Sequence, residues 1–426
     1  MTIQTHTPLP DQSHEVPQAP YYVKALALGI PAYLIGVHLW TWVFNFSTFA
    51  NGNADFRQLY TAGYMVRSGY AHQLYNYDVQ LRLQSALVSP ADLALPFIRP
   101  AYEALLFVPL SFITYRSAYL VTIAINILLL ATCYWLLRSK MQNLASVYSF
   151  LPAAMFLAFL PIAAALIQGQ DSILLLTIFA AAVVLLHRKR DLAAGALVGL
   201  GLFKLQIVIP AALIFLIWHR WRFSLGFALS ASLATAASVW VVGTDQAIRY
   251  MRSLAVMSVS PSSNAHPFRY AIPVNRMPNL HGLLFGCIGK LAADRWVSLL
   301  SVLLSAVMLV VVAWRYKANT TENGLLVATT VSTLSSYYLL IHDLSIMLVP
   351  IVIMLDRFIA SEATGEREGR LIVRAAALLF VAPLCMSYSP EHFYLVALPL
   401  SGFLVVLIRP GAFERTAPIQ RVAVAQ

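Results

Sequence analysis

The chain has 426 residues, 59% of them hydrophobic and 11% charged, with a mean hydropathy of +0.71. A soluble domain carries roughly 25% charged residues; this composition, with repeated apolar runs of about 18 residues, excludes one and reads as an all-α polytopic membrane protein. The net charge of +11 would raise nucleic acid as a partner in a soluble protein, but here basic residues mark cytoplasmic loops that touch anionic membrane lipids.

In chain order, residues 1–23 are polar, contain proline and lack Lys and Arg, so they read as a disordered cytoplasmic tail with no cleavable signal peptide. Residues 24–410 read as a single transmembrane domain, followed by a cytoplasmic tail at 411–426. The first span is expected at 24–48 and leads into an outer loop at 49–115. That loop opens with Asn53-Ala54-Asp55-Phe56-Arg57-Gln58-Leu59-Tyr60. Phe56, Tyr60 and Tyr64 recur every four residues, which predicts a helix along the interface with aromatics at headgroup depth. A second juxtamembrane helix is expected at 101–114, too short to span comfortably and interrupted by Pro109.

Further spans are predicted at 116–137, 145–161, 171–187, 191–203, 205–218, 222–243, 295–314, 322–340, 343–358, 371–387 and 392–408, about twelve in all. The stretch 191–218 reads either as two short helices or as one broken at Lys204. The scattered cysteines Cys133, Cys287 and Cys385 form neither a disulfide framework nor a zinc spacing. With twelve spans, the basic short loops after Leu137, Leu186, Trp218, Trp314, Asp356 and Ile408 share one side. The positive-inside rule makes that side, and both termini, cytoplasmic. The opposite side then holds 49–115, the turn Gln168-Gly169-Gln170-Asp171, Lys204, a second outer loop at 244–294, and His342. Binding residues concentrate on such loops.

Each candidate residue has a bland reading beside the functional one. Asp55 is either the N-cap of the helix it precedes or a carboxylate base held at the mouth of the bilayer. His342-Asp343 interrupts an apolar stretch, which is expensive unless the pair faces water, a ligand or a cap. Lys204 either snorkels to the surface or supplies positive charge to a phosphate. Gln170 and Asp171 begin a helix, where capping is the simplest account. His266, Arg269, Arg276 and Asn279 lie in a cation-rich loop that is either solvated or a lid over a lipid phosphate. Arg57 and Arg99 are further substrate-binding candidates. There is no Walker loop, dinucleotide fingerprint, H-E-x-x-H or CxxC, so no cofactor is implied, and an outward-facing transferase would need a lipid-linked donor.

The order Asp55-Phe56, Gly69, Leu74-Tyr75, Arg99-Pro100, Leu106–Leu110, Gly169-Gln170, Ala194-Gly195 through Gly199 to Lys204, and His342-Asp343 resembles glycosyltransferase family 87. The resemblance implies a GT-C-like bundle and polyprenol-phosphate-mannose-dependent transfer to an acceptor hydroxyl with inversion, mannose being the default sugar. It matches Asp55 to the catalytic aspartate and His342 to a histidine beside it. The expected partners are a polyprenyl-phosphate-sugar donor, a lipid or glycan acceptor, and membrane lipids; no nucleic acid is expected. The site is placed on the outer or periplasmic face of the cell membrane. One departure is Arg99-Pro100-Ala101-Tyr102, where the family commonly has Tyr-Pro-Pro.

Inverting transfer needs one base and cations for the phosphate leaving group. No metal is demanded, because no carboxylate cluster suits one. The competing readings are a lipid or glycan transporter or flippase, disfavoured by the lack of two repeated halves, and an O-antigen polymerase or ligase acting on lipid diphosphates.

Overall fold

The computed structural model describes residues 21–259, 268–316, 320–362 and 367–409. The described residues are helices, short 3₁₀ or π turns and connections, with no strand among them, as expected for an all-α polytopic membrane protein. Six described helical stretches are long and apolar enough to cross a membrane, and Ser172–His187 and Leu371–Ser387 are shorter apolar helices.

Helix α1 (Tyr21–Thr48) exposes Trp40, Val43 and Phe44 along an apolar flank. It ends in a π turn at Phe49–Asn53, where Gly52 adopts φ +119° against the Val88 and Ser89 side chains. That left-handed step kinks the chain into α2 (Phe56–Arg67). The expected helix is present, and its Phe56 and Tyr60 are buried in protein while Tyr64 is half-buried. Phe56 and Leu59 are fully buried, and the Phe56 ring packs 5.7 Å from Tyr115 and 6.1 Å from Phe107. Gly63 lets α2 touch the Phe107–Val108 backbone, which any Cβ would strike.

The first outer loop also contains α3 (Tyr77–Leu87), capped by Asn76, which sequence reasoning passed over. The short helix expected at 101–114 is split by Pro109 into α4 (Tyr102–Phe107) and a 3₁₀ turn at Pro109–Phe112.

Helix α5 (Tyr115–Leu137) matches its predicted span, and α6 (Gln142–Val147) follows the basic turn. The span expected at 145–161 is instead two short helices, α7 (Leu151–Ala158) and α8 (Leu160–Ile167), kinked at Phe159. Pro161 in the first turn of α8 lacks an N–H to continue α7, which accounts for the break. Helix α8 carries the chain on to Gln168, and α9 (Ser172–His187) then returns across the bundle.

The stretch 191–218 resolves into α10 (Asp191–Leu200), a 3₁₀ turn at Gly201–Lys204 and α11 (Leu205–Ile217). Helix α12 (Trp221–Val242) lies against α10 on glycine. A Cβ at Gly195 would run into the Phe223 carbonyl, and one at Gly226 into that of Leu192. With little hydrophobic drive between helices in lipid, such small-residue faces supply the close packing.

The loop at 244–294 is largely helical, with α13 (Thr244–Val259) and α14 (Leu280–Ile288). Beyond α15 (Asp294–Arg315), α16 (Thr321–Ser335) is buried almost end to end. Its Thr329, Thr330 and Thr333 hydroxyls donate to carbonyls four residues back, which makes a polar helix tolerable at the centre. It stops at Ser335; residues 336–340 and a 3₁₀ turn at Ile341–Met347 precede α17 (Leu348–Glu362), α18 (Arg367–Ser387) and α19 (Ala397–Leu407).

Two apolar clusters result. One fills the bundle around α9, α16 and α17, and the other joins α2, the outer-loop turns, α13 and the 268–277 segment. The site lies where they meet.

Candidate active site

The turn Gln168-Gly169-Gln170 grips Asp55 at three points. Phe56 N donates to the Gln168 carbonyl at 2.9 Å, and Asp55 N donates to Gln168 Oε1 at 2.9 Å. Gln170 Nε2 then donates to Asp55 Oδ2 at 2.7 Å. Gly169 makes the grip possible: its φ is +60°, and a Cβ there would lie 2.8 Å from Phe56 Cβ. The turn is anchored in its own right, because Tyr119 Oη donates to the Ile167 carbonyl and Asn126 Nδ2 to that of Gln170.

Asp55 occupies the N-cap position of α2 but makes no side-chain cap bond. Among the described residues no side chain donates to Oδ1, and the Asp55 side chain is 23% exposed. It lines a cavity of about 70 Å³ with Gln58, Arg99, Gln170, Lys204 and His342.

Behind Asp55 the polar groups form a closed ring. Gln170 Oε1 accepts from Arg99 Nη2 at 2.7 Å. Arg99 Nη1 bridges Asp171 Oδ2 and Glu103 Oε1. Lys204 Nζ reaches Asp171 Oδ1 at 3.3 Å and Asp343 Oδ1 at 2.7 Å. His342 closes the ring, with Nε2 3.5 Å from Asp343 and Nδ1 3.9 Å from Asp55 Oδ2. Asp343 also caps its own turn by accepting from Leu340 N, and it accepts from Ser172 Oγ.

The ring's charges balance. Asp171 sits between the Arg99 guanidinium and the Lys204 ammonium. Asp343 shares the Lys204 ammonium and lies beside the His342 ring. For Glu103 burial wins over Arg99 and the carboxyl is pushed well above its ordinary value. Burial lowers His342 below its ordinary 6.5, against the pull of Asp343, and keeps the imidazole neutral at pH 7. Arg99 and Lys204 thus offset Asp171 and Asp343, and Asp55 is the acidic group at the cavity surface.

The structure therefore gathers Asp55, Arg99, Gln170, Asp171, Lys204, His342 and Asp343. Lys204 is buried in this ring rather than snorkelling to the surface. Other sequence candidates lie outside the cavity. Arg57 is buried on Ser89 and the Gly52 carbonyl. Arg269 pairs with Asp78 at 2.9 Å in an exposed position. Asn279 caps α14 and donates to the Ser336 carbonyl. Arg276 is exposed on the 3₁₀ turn at Val274–Arg276. His266 lies outside the described residues. Sequence reasoning places Gln168 in the outer turn but does not single it out, because a neutral amide has no burial penalty to advertise it. It missed Glu103, whose i,i+4 spacing from Arg99 was legible.

The sequence profile of glycosyltransferase family 87 matches residues 97–341, more than half of the chain. The chain belongs to glycosyltransferase family 87. The family match contains Arg99, Glu103, Gln170, Asp171 and Lys204, stops one residue short of His342, and does not reach Asp55. No curated protein and no solved structure matches the chain significantly. Family membership makes this protein a membrane glycosyltransferase, which acts on a sugar donor and an acceptor.

Proposed function

We propose that this glycosyltransferase moves a sugar, mannose by default, from a polyprenyl-phosphate donor to a hydroxyl of a lipid or glycan acceptor, with inversion, at the outer or periplasmic face of the cell membrane. The observation that carries the reading is the immobilised Asp55. Its backbone and Oδ2 are held by Gln168 and Gln170, while Oδ1 is left to the cavity. A base needs this arrangement, since one oxygen must stay available for the acceptor proton.

In the step itself the acceptor oxygen attacks C1 and its proton passes to Asp55 Oδ1. The bond from C1 to the phosphate oxygen breaks, and the electron pair leaves with polyprenyl phosphate. The leaving group is already anionic, so no general acid is required. Lys204, Arg99 and His342 line the cavity and would meet the developing charge. His342 holds its neutral ring beside Asp55 Oδ2 and orients that carboxylate.

The test is sugar transfer by purified protein from radiolabelled polyprenyl-phosphate-mannose to a membrane-lipid extract, wild type beside Asp55→Asn. Product from wild type and a loss of about 10²–10⁴-fold in the variant is expected for a general base. Full activity in Asp55→Asn removes the base assignment. Absence of product with both proteins removes this donor–acceptor pair.

A further inference from the structure

Helix α11 is apolar throughout except at Gln206. That side chain is buried, with the residue only 8% exposed, and among the described residues none hydrogen-bonds its amide. Neither amide atom is sealed into the packing, because Gln206 is absent from the fully enclosed polar groups that lack a partner, and it lines the Asp55 cavity. An amide taken out of water without a hydrogen bond is costly, so a buried Gln206 open only to the cavity points to something that binds there.

The backbone is broken where it must be to place this side chain. In a continuous helix, residues two apart face away from each other. Here the 3₁₀ turn Gly201–Lys204 ends at Lys204 with φ −114° and ψ 57°, and α11 starts afresh at Leu205. Lys204 and Gln206 consequently both line the cavity, with the ammonium turned to Asp171 and Asp343 and the amide left uncommitted.

Two other neutral groups share this property. Gln58 follows Asp55 by three residues, on the same face of α2, and lines the cavity with its amide unbonded among the described residues. The Tyr338 hydroxyl likewise has no hydrogen bond from a described residue. The cavity's cations, by contrast, already hold carboxylates: Arg99 pairs with Glu103 and Asp171, and Lys204 with Asp171 and Asp343. A phosphate calls for the cations. Amides and a phenol, each able to donate and accept, suit hydroxyl groups, which also do both.

We infer that Gln206 is a specificity-determining residue that hydrogen-bonds a hydroxyl of the sugar on the donor, with Gln58 and Tyr338 meeting the other ring hydroxyls. This rests on the reading of the site as one for a polyprenyl-phosphate sugar and adds to it the side chains that read the sugar. A site built to hydrogen-bond a hydroxyl rejects the analogue lacking it, because the buried amide is then left unpaired.

The test is titrated thermal stabilisation of full-length protein in detergent by polyprenyl-phosphate-mannose and by sugar-free polyprenyl phosphate, for wild type and Gln206→Leu. Leucine is close to glutamine in volume and removes an unpaired amide, so the ligand-free variant should melt at or above the wild-type temperature. The Kd for the mannosylated lipid should rise about ten-fold or more in the variant, while that for polyprenyl phosphate stays unchanged. Among 2-, 3-, 4- and 6-deoxymannosyl lipids, one should bind wild type more weakly yet bind Gln206→Leu no more weakly than the parent does. Should leucine unfold the chain, Gln206→Asn, which draws the amide back by one methylene, must show the same split between the two lipids. Wild-type affinity in the variant, equal weakening for both lipids, or additive losses with all four deoxy sugars overturns the inference and leaves the donor reading standing. Wild-type protein that binds neither lipid overturns the donor reading, and this inference with it.

Discussion

Gln170 donates to Asp55 through Nε2 because its Oε1 is already committed to Arg99. The guanidinium has no acceptor to offer, so it fixes which end of the amide faces the carboxylate. Arg99 thereby sets the geometry of Asp55 from one residue away. Replacing Gln170 with Leu leaves Asp55 Oδ2 without its donor and the Arg99 fork without an acceptor. A hydrogen bond to a charged group is worth about 1.5–3 kcal/mol, so kcat should fall about ten-fold or more. Steady-state kinetics should place the loss in kcat rather than in the donor KM; a variant with wild-type kcat removes Gln170 from the positioning role.

Lys204 is a buried structural counter-ion to Asp171 and Asp343. Lys204→Met leaves Asp171 and Asp343 buried with one fewer cation, and breaking a buried pair on one side costs about 3–5 kcal/mol. A large fall in detergent melting temperature is expected, with partial recovery in Lys204→Met/Asp343→Asn. A Lys204→Met protein as stable as wild type, impaired only in donor use, would assign Lys204 to substrate alone.

Gly169→Ala tests the grip on Asp55 through the backbone. At φ +60° an alanine is strained by about 1–2 kcal/mol, and its methyl presses on Phe56. Activity should drop more than stability, because α2 must shift and Asp55 moves with it. Unchanged transfer activity in a folded Gly169→Ala protein would show that the turn does not position the base.

His342 gives stability a defined pH dependence. Burial keeps its folded imidazole below 6.5, while the unfolded ring titrates near that value. As pH falls through 6.5 the unfolded chain binds a proton that the folded chain refuses, so stability declines, by at most about 1.4 kcal/mol per pH unit. Above 6.5 this contribution is constant. Melting temperatures at pH 7.5, 6.5 and 5.5 should fall more steeply for wild type than for His342→Gln; identical slopes would count against the assignment.

What the sequence revealed was largely what burial makes costly. Asp55, Lys204 and His342-Asp343 stand out because charge in an apolar stretch demands a partner, and the structure brings them into one ring. The residues that arrange them were harder to see. Gln168 carries no charge, and its role depends on Gly169 meeting Phe56, which lies more than a hundred residues earlier. Arg269 and Arg57 looked like substrate contacts, but a sequence cannot say that Asp78 and Ser89 will claim them. The two halves of the span ending in α8 were merged because apolar composition is continuous across the kink at Phe159. Helices α3 and α13 are harder to see because both are amphipathic and too polar on average to read as spans.

The closed ring has a consequence for how the chain is made. Asp55 emerges early, the turn that grips it follows more than a hundred residues later, and His342-Asp343 come after most of the helices are already in place. No N-terminal fragment can complete the circuit, however well its own helices pack. A chain stalled before residue 342 would carry Asp171 and Lys204 with no Asp343 to balance them. Closure of the ring and completion of synthesis are thus tied to the same side chains, and a truncated copy would bear an uneven buried charge.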